Sequence, residues 1–257
     1  MLSFFHAIIL GIIEGITEFL PISSTGHLVL ASAFLHITET EFLKSFEIII
    51  QLGSILAVVV LYWKKLWQWE LIKRLVVAFI PTGILGLLFY KIIKHYLFGN
   101  TSVVLWSLFL GGIFLVAFEY WHTEKISTHE EVDTISYRDC LLIGLFQSVA
   151  MIPGVSRSAA TIVGGLLLGY KRKQIVEFSF LLAIPTMLAA TGLDLVKNIH
   201  SFSSGQFGTL AVGFITAFIV AVFAIKFFLD YIKRHTFIGF GVYRIIIATV
   251  AFLLLNF

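Results

Sequence analysis

Glu14 and Glu18 stand four residues apart in an apolar run, and Ser23-Ser24-Thr25-Gly26-His27 follows closely. A second polar stretch, Pro153-Gly154-Val155-Ser156-Arg157-Ser158, interrupts equally apolar sequence far along the chain. A charged side chain at the centre of a bilayer costs roughly 2.5–3.5 kcal/mol on insertion scales. Glu14, Glu18 and Arg157 together cost on the order of 8–10 kcal/mol unless they pair or meet water. Such a penalty marks a site more often than a stabilising device.

Each group suggests its own chemistry. Glu14 and Glu18, at i and i+4, share a helix face and repel one another in a low dielectric. They suit a divalent-metal site, a general base or a proton-coupling pair, or else two carboxylates satisfied by hydrogen bonds. Ser24 and His27 are three apart, the reach of a nucleophile and its base if a helix begins there. Thr25-Gly26 alternatively caps a helix starting near Leu28. In the second stretch Gly154 lets backbone amides turn inward, and a helix starting near Ser158 offers free N–H groups to a phosphate. Arg157 adds a bidentate fork; its alternative is a buried pair with Glu14 or Glu18. Glu47 and Gln51 form a further i, i+4 polar pair, expected to line a cavity, with a helix–helix hydrogen bond the plainer reading for Gln51.

The elements that must position these residues are membrane helices. The 257 residues are 59% hydrophobic and 13% charged, with mean hydropathy +0.98; soluble domains carry about 25% charge. This composition specifies an all-α polytopic membrane protein. A net charge of +3 gives no footing for nucleic acid. Cys140, the single cysteine, has no internal disulfide partner. Residues 1–20 lack a basic leader and contain both glutamates, so no cleaved signal is expected there.

Six segments reach the roughly 20 residues that span hydrocarbon: 43–63, 74–95, 101–121, 175–196, 207–229 and 237–256. Residues 3–36 and 139–169 are instead broken by Pro21 with Ser23–Gly26 and by Pro153-Gly154 with Ser156–Ser158. Each reads as a re-entrant helix–loop–helix, with non-helical backbone buried in protein or lining a watery cavity. A shift of 132–133 residues superposes Gly11 on Gly144, Glu14 on Gln147, Ser23 on Ser156, Ser24 on Arg157 and Phe46 on Phe178. The chain then divides into a first repeat, 1–121, a polar cytoplasmic linker, 122–138, and a second repeat, 139–257. Three crossings per repeat make the second copy inverted.

Lys64, Lys65, Lys73, Arg74, Lys125, Arg138, Lys171, Arg172, Lys173, Lys233 and Arg234 fall on one face, against Lys44, Lys91, Lys94 and Lys197 on the other. The richer face is expected inside, which puts both termini and the first re-entrant loop outside. His6, His36, His95, His122, His129, His200 and His235 lie near predicted ends. Glu119 and Arg244 are expected near membrane boundaries, paired. Trp63, Trp67, Trp69, Trp106 and Trp121 fit aromatic belts.

Glu14-Gly-Ile-Thr-Glu-Phe-Leu-Pro-Ile-Ser-Ser-Thr-Gly-His27 and Pro153-Gly-Val-Ser-Arg-Ser158 resemble the two signature regions of the undecaprenyl-diphosphate phosphatase, or bacitracin-resistance, family. The similarity extends over essentially the whole chain, including Gln51-Leu-Gly-Ser-Ile-Leu-Ala-Val-Val59, and Glu14, Glu18, Ser24, His27, Arg157 and Thr161 carry the expected residue types. The resemblance implies a bacterial inner-membrane enzyme with an outward-facing site and a divalent cation, Mg2+ or Ca2+. It would convert undecaprenyl diphosphate to undecaprenyl phosphate for reuse in cell-wall synthesis. Its partners are then the polyprenyl diphosphate and membrane lipids; a homodimer is compatible with the sequence.

On that basis Ser24 attacks the terminal phosphorus with His27 as base, and Glu14 and Glu18 hold the cation or take a proton. Arg157, the backbone around Gly154, and the hydroxyls of Ser23, Thr25, Ser156, Ser158 and Thr161 hold phosphate. In a variant scheme His27 activates water and Ser24 only binds. The rival is a polyprenyl-phosphate flippase or secondary transporter, since inverted repeats with broken helices are a transporter pattern. The other class of integral lipid phosphatase fits poorly. It needs a late histidine followed four residues on by aspartate, whereas His200 and His235 precede Ser204 and Gly239.

Overall fold

The computed structural model describes residues 2–93, 97, 99–123, 131–198 and 204–254. Lys94, His95, Lys125, His129 and His200, and residues 124–130 of the polar linker, lie outside the described residues. Ten α-helices occur among those described: α1 (Phe4–Thr17), α2 (Ser24–Phe34), α3 (Glu41–Tyr62), α4 (Trp69–Ile92), α5 (Thr101–Trp121), α6 (Tyr137–Ser148), α7 (Arg157–Leu167), α8 (Arg172–Asn198), α9 (Phe207–Tyr231) and α10 (Ile238–Leu254).

Helices α3, α4, α5, α8 and α9 are long and apolar enough to cross a bilayer. The sixth expected span, α10, has 17 described residues, about 26 Å at 1.5 Å per residue, at the short end for a crossing. α1, α2, α6 and α7 have 14, 11, 12 and 11 residues. They fall where the broken apolar regions were expected, and are too short to span singly.

The apolar character continues over the outer surface. Leu87, Leu88, Ile246 and Leu253 are exposed, and so are all five tryptophans, as suits a protein solvated by lipid. Without a hydrophobic drive between helices, close packing depends on small side chains. Gly11 and Gly15 of α1 lie against α9 at Gly213 and Ala217, where a Cβ would come within 2.7 Å of a carbonyl oxygen at each glycine.

The packing pairs of the first five helices recur in the second five. α1 packs on α9 and α6 on α4; α3 packs on α9 and α8 on α4; α3 faces α8, and α5 faces α10. The first helix of each hairpin, α1 and α6, is thus held by a span from the other half of the chain, while α2 and α7 pack within their own half.

Candidate active site

The two hairpins turn in the same way. Ser23 caps α2 and Ser156 caps α7, each accepting a hydrogen bond from a backbone N–H three residues on, Gly26 at 3.3 Å and Ala159 at 3.2 Å. Both have positive φ, 71° and 79°, a region non-glycine residues avoid at a cost of order 1–3 kcal/mol. Such strain is held at functional sites when the surrounding structure over-determines it. Helix α2 therefore starts at Ser24, not near Leu28, and its cap is Ser23 rather than Thr25-Gly26. Ser24 and Arg157 are both first residues of their helices. The opening N–H groups of each helix have no acceptor within that helix.

A cavity of about 80 Å³ separates the tips, lined by Glu18, Ser23, Ser24 and Thr25 on one side and by Pro153, Gly154, Ser156 and Arg157 on the other. Gly154 adopts φ 93°, and a Cβ there would sit 2.6 Å from the Val104 carbonyl oxygen. Only glycine fits that turn.

Glu18 joins the two tips. Its Oε2 accepts from the Ser24 hydroxyl at 2.6 Å, and its Oε1 accepts from Arg157 Nη2 at 2.9 Å. Arg157 Nη1 donates to the Ser179 carbonyl at 2.7 Å, while the buried Nε has no protein acceptor. The guanidinium thus has a partner for its charge and a donor left for a ligand. The alternative reading of Arg157 as the partner of Glu18 is realised together with a place on the cavity wall.

Glu14 is fully buried, and neither of its carboxylate oxygens receives a hydrogen bond from the protein. A buried carboxylate without donors is costly, so this position calls for a cation or a proton. No group of three or more His, Cys, Asp or Glu arranged to hold a metal occurs among the described residues. A hard cation at Glu14 and Glu18 would complete its shell with water and phosphate oxygens, as Mg2+ commonly does.

Several expected contacts do not form. The Ser24–His27 contact does not form. His27 Nδ1 lies 2.7 Å from the Ser23 carbonyl oxygen, which can only accept, so Nδ1 carries a proton. Its Nε2 lies 2.8 Å from the Tyr243 hydroxyl, which donates to Nε2 when the ring is neutral. With both nitrogens engaged away from Ser24, the acceptor for the Ser24 proton is Glu18.

Ser158 donates to the Phe19 carbonyl at 2.7 Å, and Thr161 bonds its own helix and Ser179. Both are fully buried and their hydroxyls are spent on protein. Glu47 accepts from Ser32 at 3.2 Å, and neither Glu47 nor Gln51 is on the cavity wall. Ser32 lies on α2 itself, about two turns beyond Ser24.

Glu119 and Arg244 do not pair. Glu119 binds Arg172, with Nη1 at 2.5 Å, and the Phe237 N–H. Arg244 is 1% exposed and donates only to backbone carbonyls, among them Pro21, Gly154 and Val155 beside the cavity. Its signal was legible as an arginine inside the last apolar run, which by default marks a functional position.

The chain matches the family model "Bacitracin resistance protein BacA" over residues 7–250. It is 55% identical to the undecaprenyl-diphosphatase of Aquifex aeolicus over 95% of this chain and 96% of that one. It is 53% identical to the undecaprenyl-diphosphatase of Wolinella succinogenes over 97% of each, and 52% identical to that of Campylobacter jejuni over 97% of this chain and 93% of that one. With a match this long at identities above half, and with both signature stretches facing one cavity, the chain is a multi-pass membrane protein that belongs to the bacitracin resistance protein BacA family.

Proposed function

We propose that this protein hydrolyses undecaprenyl diphosphate to undecaprenyl phosphate and inorganic phosphate. The observation that carries the reading is the Ser24–Glu18–Arg157 chain, which puts a hydroxyl, its proton acceptor and a guanidinium around one cavity, alongside the N-termini of two helices. Phosphoryl transfer needs positioning and charge neutralisation above all, and these groups supply both.

The terminal phosphate enters between the tips. The free Nε of Arg157 and the first amides of α2 and α7 bind its oxygens. Ser24 Oγ attacks phosphorus as its proton passes to Glu18, and the bond from phosphorus to the bridging oxygen breaks, releasing undecaprenyl phosphate. Water then displaces the serine oxygen, and the proton held by Glu18 returns to Ser24. His27 orients the turn through the Ser23 carbonyl. Glu14 and Glu18 would hold Mg2+ or Ca2+, which supplies further neutralisation of phosphate charge when bound. The polyprenyl tail remains among the apolar surfaces in lipid.

The cellular setting we infer is the bacterial inner membrane, with the cavity and both termini facing outward and the second set of five helices inverted relative to the first. The reciprocal packing pairs support the inverted arrangement, and the basic residues on one face support the orientation. A transporter would share the architecture, but a serine hydroxyl aligned on a carboxylate has no evident use in transport.

The decisive experiment is phosphate release from a prenyl diphosphate by protein purified in detergent with Mg2+ or Ca2+, where no gradient exists. Release lost in Ser24→Ala and Arg157→Ala supports the hydrolase. Rapid quench should trap phosphoserine at Ser24; turnover without it would shift the attack to water.

A further inference from the structure

Arg244 lies on α10, the last helix, remote in sequence from both signature stretches. Its guanidinium has five N–H groups, and each one meets a backbone carbonyl. Nε donates to Leu108 at 3.3 Å, Nη1 to Pro21 at 3.3 Å and Val155 at 3.0 Å, and Nη2 to Ser107 at 2.9 Å and Gly154 at 2.9 Å. The fork therefore has no donor left for a ligand. Two of its acceptors lie in the second hairpin turn, one in the first, and two on α5.

These acceptors flank the strained serines. Pro21 precedes Ser23 by two residues, and Val155 adjoins Ser156. Both serines hold positive φ on the cavity wall. A turn in that conformation persists only when its surroundings dictate it, and one planar cation gripping both turns does so.

We propose that Arg244 is a positioning residue, locking the first and second hairpin tips in one register so that Ser24 and Arg157 face the same phosphate. The role rests on the phosphatase reading for its consequence in turnover, while the locking of the tips is a property of the fold. Gly111 is part of the device. A Cβ on Gly111 would run into Nη2 of Arg244, so α5 must be bare there for the fork to lie flat. Lysine cannot substitute, because an ammonium has three donors and no plane.

Two variants test this. Arg244→Lys keeps the charge and the stem. Gly111→Ala leaves Arg244 intact and favours helix, so a loss there cannot come from a weaker α5. Both should lower kcat about 100-fold, the usual cost of a reactive group displaced by an ångström, with KM for a prenyl diphosphate held within about threefold.

Hydrogen exchange read by mass spectrometry should rise in residues 22–27 and 155–160 together, with α3 and α9 unchanged. Exchange rising over all helices with a falling Tm would reduce Arg244 to general stability and overturn the proposal. So would wild-type exchange in both turns. If wild-type protein releases no phosphate yet the two turns still loosen together in the variants, the locking of the tips is upheld and the phosphatase reading falls alone.

Discussion

The two hairpins turn with the same backbone geometry and present different polar side chains. Ser23 and Ser156 make the same strained cap, and Ser24 and Arg157 occupy the same first helical position after it. Three residues before the end of α1 stands Glu14, with no donor to either oxygen. Its sequence counterpart in α6, Gln147, is just as buried but satisfied, donating to Thr82 at 2.9 Å and Thr186 at 3.2 Å and accepting from Thr186 at 3.4 Å. A satisfied neutral amide closes one hairpin as structure. An unsatisfied carboxylate leaves the other open to a cation. The two turns share a geometry, and the polar atoms left without partners differ between them: both carboxylate oxygens of Glu14 in one hairpin and Nε of Arg157 in the other.

Removing the proposed nucleophile should have the largest effect. Ser24→Ala is expected to lower phosphate release by about 10⁴-fold or more, the scale seen when a covalent nucleophile is lost, measured as turnover of a prenyl diphosphate in detergent. If activity survives, the two first helical positions differ less than their contacts indicate. Glu18→Gln should cost about 10²–10³-fold through loss of the proposed proton acceptor. Because it also frees Arg157, its KM should change less than its kcat.

Exchanging the counterparts sharpens the contrast. Glu14→Gln makes the first hairpin resemble the second. It should raise the Mg2+ concentration needed for half-maximal activity by about 10–100-fold, while a chelator should abolish wild-type turnover and metal restore it. Gln147→Glu does the reverse, burying a charge among hydroxyls. It should destabilise the protein by about 3–5 kcal/mol, read as a lowered Tm. A metal-independent Glu14→Gln enzyme would show that the orphaned oxygens hold a proton instead.

The smallest effect is expected at the caps. Ser156→Gly removes a cap at a cost of a few tenths of a kcal/mol and relieves strain of about 1 kcal/mol or more. Tm should therefore rise slightly while kcat falls a fewfold as the turn loosens. A fall in Tm would mean that the cap, not the strain, dominates there.

Much of this was legible in the residues. Apolar runs of sufficient length, punctuated by basic pairs, locate the helices because hydrocarbon tolerates little else. The helix bounds differ from expectation mostly by a few residues at the ends, as with α4, which starts at Trp69. Glu14, Glu18 and Arg157 announce a site through their insertion cost alone. The pairing of Ser24 could not be read this way. Ser24 and His27 are neighbours in the chain, and spacing favours them. Yet Ser24 turns toward Glu18 across the hairpin, and His27 turns toward Tyr243, 216 residues away.

Composition and local spacing settle solvent, element type and the inventory of reactive groups, since each follows from the transfer energy and backbone preference of nearby residues. Which groups meet is a different matter. The Glu18–Arg157 pair spans 139 residues, and the Arg244 bonds to Pro21 and Gly154 span 223 and 90. Such contacts arise from the way α1 rests on α9 and α6 on α4, and α10 on α5. A hydrogen bond forms only where packing brings donor and acceptor within about 3 Å, and no local pattern encodes that approach.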